Sequence, residues 1–324
     1  MIKIWFCDFW GNFNIDDNFI INILKKDFDV VLTPENPDFL FVGTFGGNHL
    51  KYSCPKIYFT GENIVPDFNL FDYAIGFDCI DYGERYFRLP LFCIEPNFSQ
   101  IDSLCTLTDE QALDRKFCSM VVSNIRHSSP MRRLFFKRLS EYKQIDSGGR
   151  MWNNVGGPVA DKAAFLRGYK FNIAFENSKY DGYTTEKITD AFAADTVPVY
   201  WGNRWVERDF NSDSFVTVAN ESDIDRAIER IVYLDSHPDE YLKMLKAPKI
   251  VNPELNEWER RFSHFLRQIL SKSPVEARLT SDFGAQKLHR KRMRLLNKIC
   301  YDLKGDRFMS LVEKINNKIN KNED

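Results

Sequence analysis

Residues 169–203 read YKFNIAFENSKYDGYTTEKITDAFAADTVPVYWGN, and this stretch decides the fold. Residues 171–175 form an apolar run with the brevity of a buried parallel strand, and residues 177–182 form a polar loop ending in glycine. A helix follows, with Thr184 or Thr185 as its expected cap and Ile188, Ala191, Phe192 and Ala194 at helical spacing. Residues 196–201 read as the next strand and close a βαβ unit. In open α/β sheets, ligands bind beyond the carboxyl ends of the strands, where helix N-termini present free N–H groups and partial positive charge. Asn177, Tyr183, Glu186 and Lys187 therefore stand where a nucleotide would bind.

The same residues carry a resemblance. FENS, a short loop, YTTEK and the downstream PVYWG closely resemble the donor-binding signature of the α1,3-fucosyltransferases, which move L-fucose from GDP-fucose to N-acetylglucosamine or glucose. Residues 59–78, FTGENIVPDFNLFDYAIGFD, resemble the family's acceptor-side motif, and residues 123–132 resemble its segment between the domains. These blocks occur in the family's order from about residue 58 to residue 220. The bacterial, Helicobacter-type branch is the closer fit, with no N-terminal membrane anchor or lumenal stem expected. The resemblance implies the GT-B architecture, two Rossmann-like domains facing a cleft. It also implies an oligosaccharide or lipopolysaccharide acceptor and no required cofactor, with a divalent metal at most stimulatory.

Composition sets outer bounds. A chain of 324 residues with 44% hydrophobic content is long enough for two domains, each with its own core. A net charge of −2 argues against general nucleic-acid binding, which needs clustered lysine and arginine. The seven cysteines show neither CxxC pairs nor zinc spacing, and the five histidines include no HxxxH pair. With no signal-like or membrane-length apolar stretch in view, a cytoplasmic location is expected, with room for peripheral membrane contact.

Short apolar runs at 2–9, 30–32, 39–42, 57–59, 73–75 and 87–92 read as the strands of a first domain, with a helix over 16–28 capped by Asp16 or Asp17. Residues 93–108 read as a linker. The expected domains are 1–108 on the acceptor side, 109–274 on the GDP-fucose side, and a basic helical tail over 275–324. The second domain should hold a helix over 109–116, a strand at 117–123, helices over 130–142 and 223–234, and a last helix over 258–270.

Fucosyl transfer from a β-linked nucleotide sugar to an α-linked product inverts the anomeric centre, so a carboxylate must take the proton of the attacking hydroxyl. Glu62, in TGEN directly after a strand, matches the family's catalytic glutamate; read without the resemblance, spacing favours a loop-surface carboxylate capping a nearby backbone N–H over a catalytic one. Phe59 and Gly61 beside it touch the donor in the family's pattern. The departing GDP needs cationic or helix-dipole support, for which Lys187 and Arg132 are suited, with Arg133 as the neighbouring alternative. A lysine in a first helical turn opposes the dipole, which favours an anionic ligand over a plain surface charge. Glu186 suits a ribose hydroxyl pair, and Asn177 and Tyr183 suit the donor sugar or phosphates.

Two rivals remain. Asp223 and Asp225 form a DxD string that would serve a metal-dependent GT-A transferase, although both fall in the first turn of an expected helix, where acids need no metal. A non-catalytic nucleotide-sugar or glycan-binding protein is the other. In the tail, KLHRKRMRLLNK at 287–298 precedes an apolar stripe of Phe308, Leu311, Val312, Ile315 and Ile319. The tail over 287–319 is expected to pack on the body, pair with a second copy in a homo-oligomer, or lie on an anionic membrane surface.

Overall fold

Strands buried on both faces need covering layers, and the apolar runs of this chain become two parallel sheets with such layers. The computed structural model describes residues 1–101, 105–123, 129–281 and 283–297. They fall into two compact units: one made of Met1–Ile75, Tyr82–Phe87 and the stretch from Phe262 onward, the other of Gly76–Asp81 and Arg88–Arg261. Both are Rossmann-like.

The first unit opens with β1 (Ile2–Cys7), α1 (Phe19–Asp27), β2 (Val30–Leu32), β3 (Phe39–Val42), β4 (Lys56–Phe59), β5 (Tyr73–Gly76) and β6 (Tyr86–Arg88). The sheet order is β2-β1-β3-β4-β5-β6, with the first four pairings parallel. Every residue of β3 and β4 is buried, so neighbouring side chains serve opposite faces. Leu40, Val42, Tyr58 and Ala74 form one apolar cluster, while Phe6 and Phe41 stack at 5.1 Å and Phe59 lies 5.3 Å from Phe19. The first helix starts two to three residues later than expected. Asn18, not Asp16 or Asp17, caps it, accepting from the N–H groups of Ile20 and Ile21 at 3.1 and 3.0 Å. β6 is also shorter than expected, because Pro90 has no N–H to give a strand and a 3₁₀ turn begins at Leu91.

The second unit continues with α2 (Asp109–Leu113), β7 (Lys116–Met120), α3 (Pro130–Ser140), β8 (Ile145–Ser147), α4 (Lys162–Arg167), β9 (Tyr169–Phe175), α5 (Glu186–Ala193), β10 (Val197–Trp201), β11 (Val216–Thr217), α6 (Ile224–Ser236) and α7 (Pro238–Lys246). Its sheet runs β11-β10-β9-β7-β8, all parallel. Numbered from its own first strand this is the order 5-4-3-1-2, and the chain reverses direction between β7 and β9. That switch point leaves a crevice at the strands' carboxyl ends. Arg88 and Asp209 form a two-bond ion pair inside this unit, at 2.9 and 2.5 Å, with Asp209 fully buried.

The chain then returns to the first unit. In α8 (Trp258–Leu270), Phe262 packs 5.8 Å from Phe19 and 5.4 Å from Phe87, and Phe265 lies 5.3 Å from Phe87. α9 (Gly284–Asn297) follows. Its His289 Nε2 sits 3.1 Å from Asp67, Arg294 donates to the Leu50 carbonyl at 2.9 Å, and Met293 packs on the apolar cluster. This part of the tail therefore rests on the body. The expected stripe from Phe308 to Ile319 lies outside the described residues.

The buried Asp72 fastens this return. One carboxylate oxygen accepts from the Lys56 N–H at 2.8 Å and the other from the N–H groups of Leu279 and Thr280, both at 2.7 Å. Asp72→Ala strands three backbone donors, so unfolding free energy should drop by about 3 kcal/mol or more in urea titration. Wild-type stability would mean that water replaces all three bonds.

Candidate functional site

At the carboxyl end of β9 the strand pattern runs on by one residue, the Glu176 N–H donating to the Trp201 carbonyl at 2.9 Å. This places the Glu176 carboxylate, which is wholly buried, at the mouth of the crevice. A buried carboxylate is tolerable only when its oxygens are satisfied. One oxygen accepts the Thr185 N–H at 2.7 Å; the other accepts the Thr185 hydroxyl at 2.7 Å and faces Lys187 Nζ at 3.2 Å. Thr185 is thus the residue before α5, but its side chain does not cap the helix as expected; it is committed to Glu176.

Lys187 also reaches the Thr185 hydroxyl at 2.7 Å and Glu186 at 3.3 Å. Burial disfavours its charge, but Glu176 and Glu186 outweigh that and raise its pKa above the usual lysine value. The lysine that opposes the helix dipole is therefore explained first by a protein carboxylate. Glu186 is pushed upward by burial, yet Lys187 and Lys162 hold it below the ordinary glutamate range.

The loop between β9 and α5 is pinned by Asn203. Its side-chain oxygen accepts from the Gly182 and Trp205 N–H groups at 2.7 and 2.8 Å, and its amide donates to Thr184 at 3.0 Å. Gly202 stands between these groups at φ +149°, and a Cβ there would lie 2.5 Å from the Glu176 side chain. No other residue fits without moving the carboxylate.

Arg132, in the first turn of α3, is almost fully buried, and its Nε and Nη2 donate to the Phe175 carbonyl, the former at 3.2 Å. Burial lowers its pKa, with Glu176 the leading opposing influence. Arg133 is exposed. Asn177 is half-buried and accepts from the Ser129 N–H at 3.0 Å, while the buried Tyr183 ring meets Phe77 edge-on at 5.1 Å. Glu176, Tyr183 and Glu186 thus act on Arg132, and Glu176, Glu186 and Arg132 act on Lys187.

Sequence reasoning missed the hub of this group. Glu176, Thr185, Gly202 and Asn203 all lie inside the quoted FENS, YTTEK and YWGN strings. The available signal was an acidic residue directly after seven strand residues, which has to be either buried and paired or at the surface.

In the first unit, Glu62 is exposed on the loop after β4, with no side-chain partner among the described residues. Its backbone is held by Thr60, whose hydroxyl accepts from the Glu62 N–H at 3.1 Å and donates to the Glu62 carbonyl at 3.0 Å. The Phe59 ring is buried among Phe9 and Phe19, and Gly61 is half-buried beside it. Asp223 pairs with Arg226 and Asp225 with Arg138. Among the described residues, no three His, Cys, Asp or Glu side chains are placed to hold a metal ion, and no helix is long and apolar enough to cross a membrane.

The comparisons agree with this architecture. Residues 4–95 match the α-(1,3)-fucosyltransferase FucT N-terminal domain, and residues 112–274 match the C-terminal domain of glycosyltransferase family 10, the fucosyltransferases. An α-(1,3)-fucosyltransferase FucT of Helicobacter pylori is 33% identical over 288 residues, covering 75% of this chain and 59% of that protein. A Bos taurus α-(1,3)-fucosyltransferase 4 is 34% identical over 110 residues, 33% of this chain and 28% of the relative. The chain thus spans at most about six-tenths of these relatives' lengths. A crystal structure of an α1,3-fucosyltransferase with GDP-fucose superposes with a TM-score of 0.71 at 30% identity, covering 84% of this chain and 90% of that one. With one family domain alone matching half of the sequence and the other most of the remaining N-terminal part, the chain belongs to glycosyltransferase family 10, the fucosyltransferases.

Proposed function

We propose that the protein is an inverting α1,3-fucosyltransferase that moves L-fucose from GDP-fucose to the 3-hydroxyl of N-acetylglucosamine or glucose in a β-galactoside of the lactose or N-acetyllactosamine type. The observation that carries the reading is the Glu176–Thr185–Lys187 arrangement at the first turn of α5, in a chain that aligns with a fucosyltransferase solved with GDP-fucose.

In this reading the Glu62 carboxylate takes the acceptor's hydroxyl proton as that oxygen bonds the anomeric carbon and the bond to the β-phosphate breaks. Charge developing on the departing GDP is met by Lys187, by Arg132 and by the N-terminal end of α5. Glu176 holds Lys187 in one position, so the cation does not have to be reorganised during reaction. Glu186 receives the ribose hydroxyls; Asn177, Tyr183 and the Phe59–Gly61 backbone complete the donor contacts. The helical segment α9, though seated on the body, leaves Lys287, Lys291, Arg292, Leu288, Leu295 and Leu296 exposed, which supports contact with an anionic membrane surface.

Glu62→Gln should lower acceptor-dependent GDP release, assayed in excess chelator with lactose and N-acetyllactosamine, by about a hundredfold or more while GDP-fucose still binds. Unchanged turnover removes Glu62 from the reaction. If the wild-type protein binds GDP-fucose but releases no GDP, it is a binding protein; if activity vanishes in chelator and returns with a divalent ion, the metal-dependent reading replaces this one. Lys187→Ala should weaken GDP-fucose binding by about 1.5–3 kcal/mol in calorimetry, and it should also destabilise the fold because Glu176 loses its cation. A change confined to the acceptor Michaelis constant would place Lys187 elsewhere. A chain ended after Ser281 keeps both bonds to Asp72 and should stay folded while losing salt-sensitive binding to anionic vesicles. Retained vesicle binding overturns the membrane role of the tail.

A further inference from the structure

The sheet of the first unit reverses direction between β1 and β3, so the loops after these two strands flank its crevice. The two loops are locked together by Asp8. This residue, directly after β1, takes φ +61°, a left-handed conformation unfavourable for a side chain with a Cβ. Its buried carboxylate accepts from the Asn48 backbone and side-chain N–H groups, both at 3.0 Å, from the His49 N–H at 2.9 Å, and from His49 Nδ1 at 2.8 Å. The fit leaves no slack. A Cβ on Gly46 would lie 2.5 Å from the Asp8 carboxylate and one on Gly43 would lie 2.4 Å from the Asp8 carbonyl.

Thr44 belongs to the loop so fixed. Its hydroxyl lies 3.4 Å from the Tyr58 hydroxyl and donates to the Thr60 hydroxyl at 3.3 Å. Thr60 is 1% exposed and bonds both backbone groups of Glu62. One donor sense satisfies every hydroxyl: Tyr58 to Thr44, Thr44 to Thr60 with the Phe59 carbonyl at 3.5 Å as its other acceptor, Thr60 to the Glu62 carbonyl, and the Glu62 N–H on the remaining lone pair of Thr60.

We infer that Thr60 and Thr44, tied to β1 through the Asp8-anchored loop, are positioning residues that set the direction of the Glu62 carboxylate. The inference rests on the reading of Glu62 as the base. Glu62 is exposed and its side chain has no partner among the described residues, so its aim is set by its own backbone; the Thr60 hydroxyl bonds both backbone groups of Glu62, and the Ile64 N–H adds a local turn bond to the carbonyl at 2.7 Å. Without the Thr60 hydroxyl, water can satisfy the Glu62 backbone near the surface, so the fold survives while the aim is lost. Misplacing a reacting group by about 1 Å costs on the order of a hundredfold in rate.

The test is steady-state kinetics on the whole chain with Thr60→Val, Thr60→Ser, Thr44→Val, Glu62→Gln and the double variant Glu62→Gln with Thr60→Val. Thr60→Val should lower kcat by about 10- to 100-fold. Its Michaelis constant for GDP-fucose should stay within about twofold of wild type, and its melting temperature within about 4 °C. Thr60→Ser should recover most of the rate, and Thr44→Val should lose several-fold. Because the effect runs through Glu62 alone, the double variant should be no slower than Glu62→Gln. A Thr60→Ser rate as low as that of Thr60→Val, or a double variant slower than Glu62→Gln in proportion, assigns Thr60 to packing and overturns the inference. If Thr60→Val does not fold, Thr44→Val decides, and full activity there overturns it. An active Glu62→Gln enzyme removes the base and this inference with it; an inactive Glu62→Gln enzyme beside a fully active Thr60→Val enzyme removes the inference alone.

Discussion

A charge without water must be matched from within the protein, and in the second unit that demand falls on the Glu176 carboxylate. Satisfying it uses the backbone and hydroxyl of Thr185 and the ammonium of Lys187, which together fix where α5 begins. The close approach of Gly202 brings the end of β10 against the same group, and Asn203, next in sequence, ties down the loop from β9. Removing Lys187 would leave Glu176 a buried charge without its cation, whereas removing Glu176 would leave Lys187 only Glu186 as a carboxylate partner. The arrangement is rigid because each member is needed by the next.

Both units repeat one physical plan. An acidic side chain directly after a parallel strand, Glu176 after β9 and Asp8 after β1, accepts hydrogen bonds from the segment facing it, and glycines clear space for it. Such groups stand where the sheet reverses, which is where open parallel sheets leave room for ligands. The first turn of α5, which carries Lys187, and the loop that carries Glu62 are then oriented by hydrogen bonds near a strand end rather than by an extended hydrophobic core.

The parallel strands and the central βαβ unit were legible because buried strands are short apolar runs between turn residues, and 39–42, 57–59 and 171–175 all show that pattern. Helix starts were less legible: Asp16, Asp17 and Asn18 are all competent caps, and only the geometry of Ile20 and Ile21 selects Asn18. The periodicity of α8 revealed an apolar face but not its destination, since Phe262 meets residues more than 170 positions earlier in the chain. Candidate site residues were found by motif and position after a strand. Glu176 was passed over within its own motif, because its burial depends on Gly202 and Lys187, contacts that a linear string does not display. α7 was not anticipated either, although Pro238 at its first position is a helix-start signal.

The first unit is assembled from stretches of chain that lie on either side of residues 88–261, and that separation bears on its birth on the ribosome. Its sheet emerges first, but Phe262 and Phe265, which pack against Phe19 and Phe87, and the Leu279 and Thr280 amides that reach Asp72 leave the exit tunnel only after residues 88–261. Arg88–Arg261, the bulk of the second unit, is synthesised in the interval and has all the strands of that unit's sheet in hand. Loop closure over so long a span is entropically costly and slow. Synthesis therefore imposes an order opposite to the order of the sequence: the later unit can mature first, while the earlier one waits with apolar sheet surface uncovered. That interval is when the nascent chain has most to gain from a chaperone.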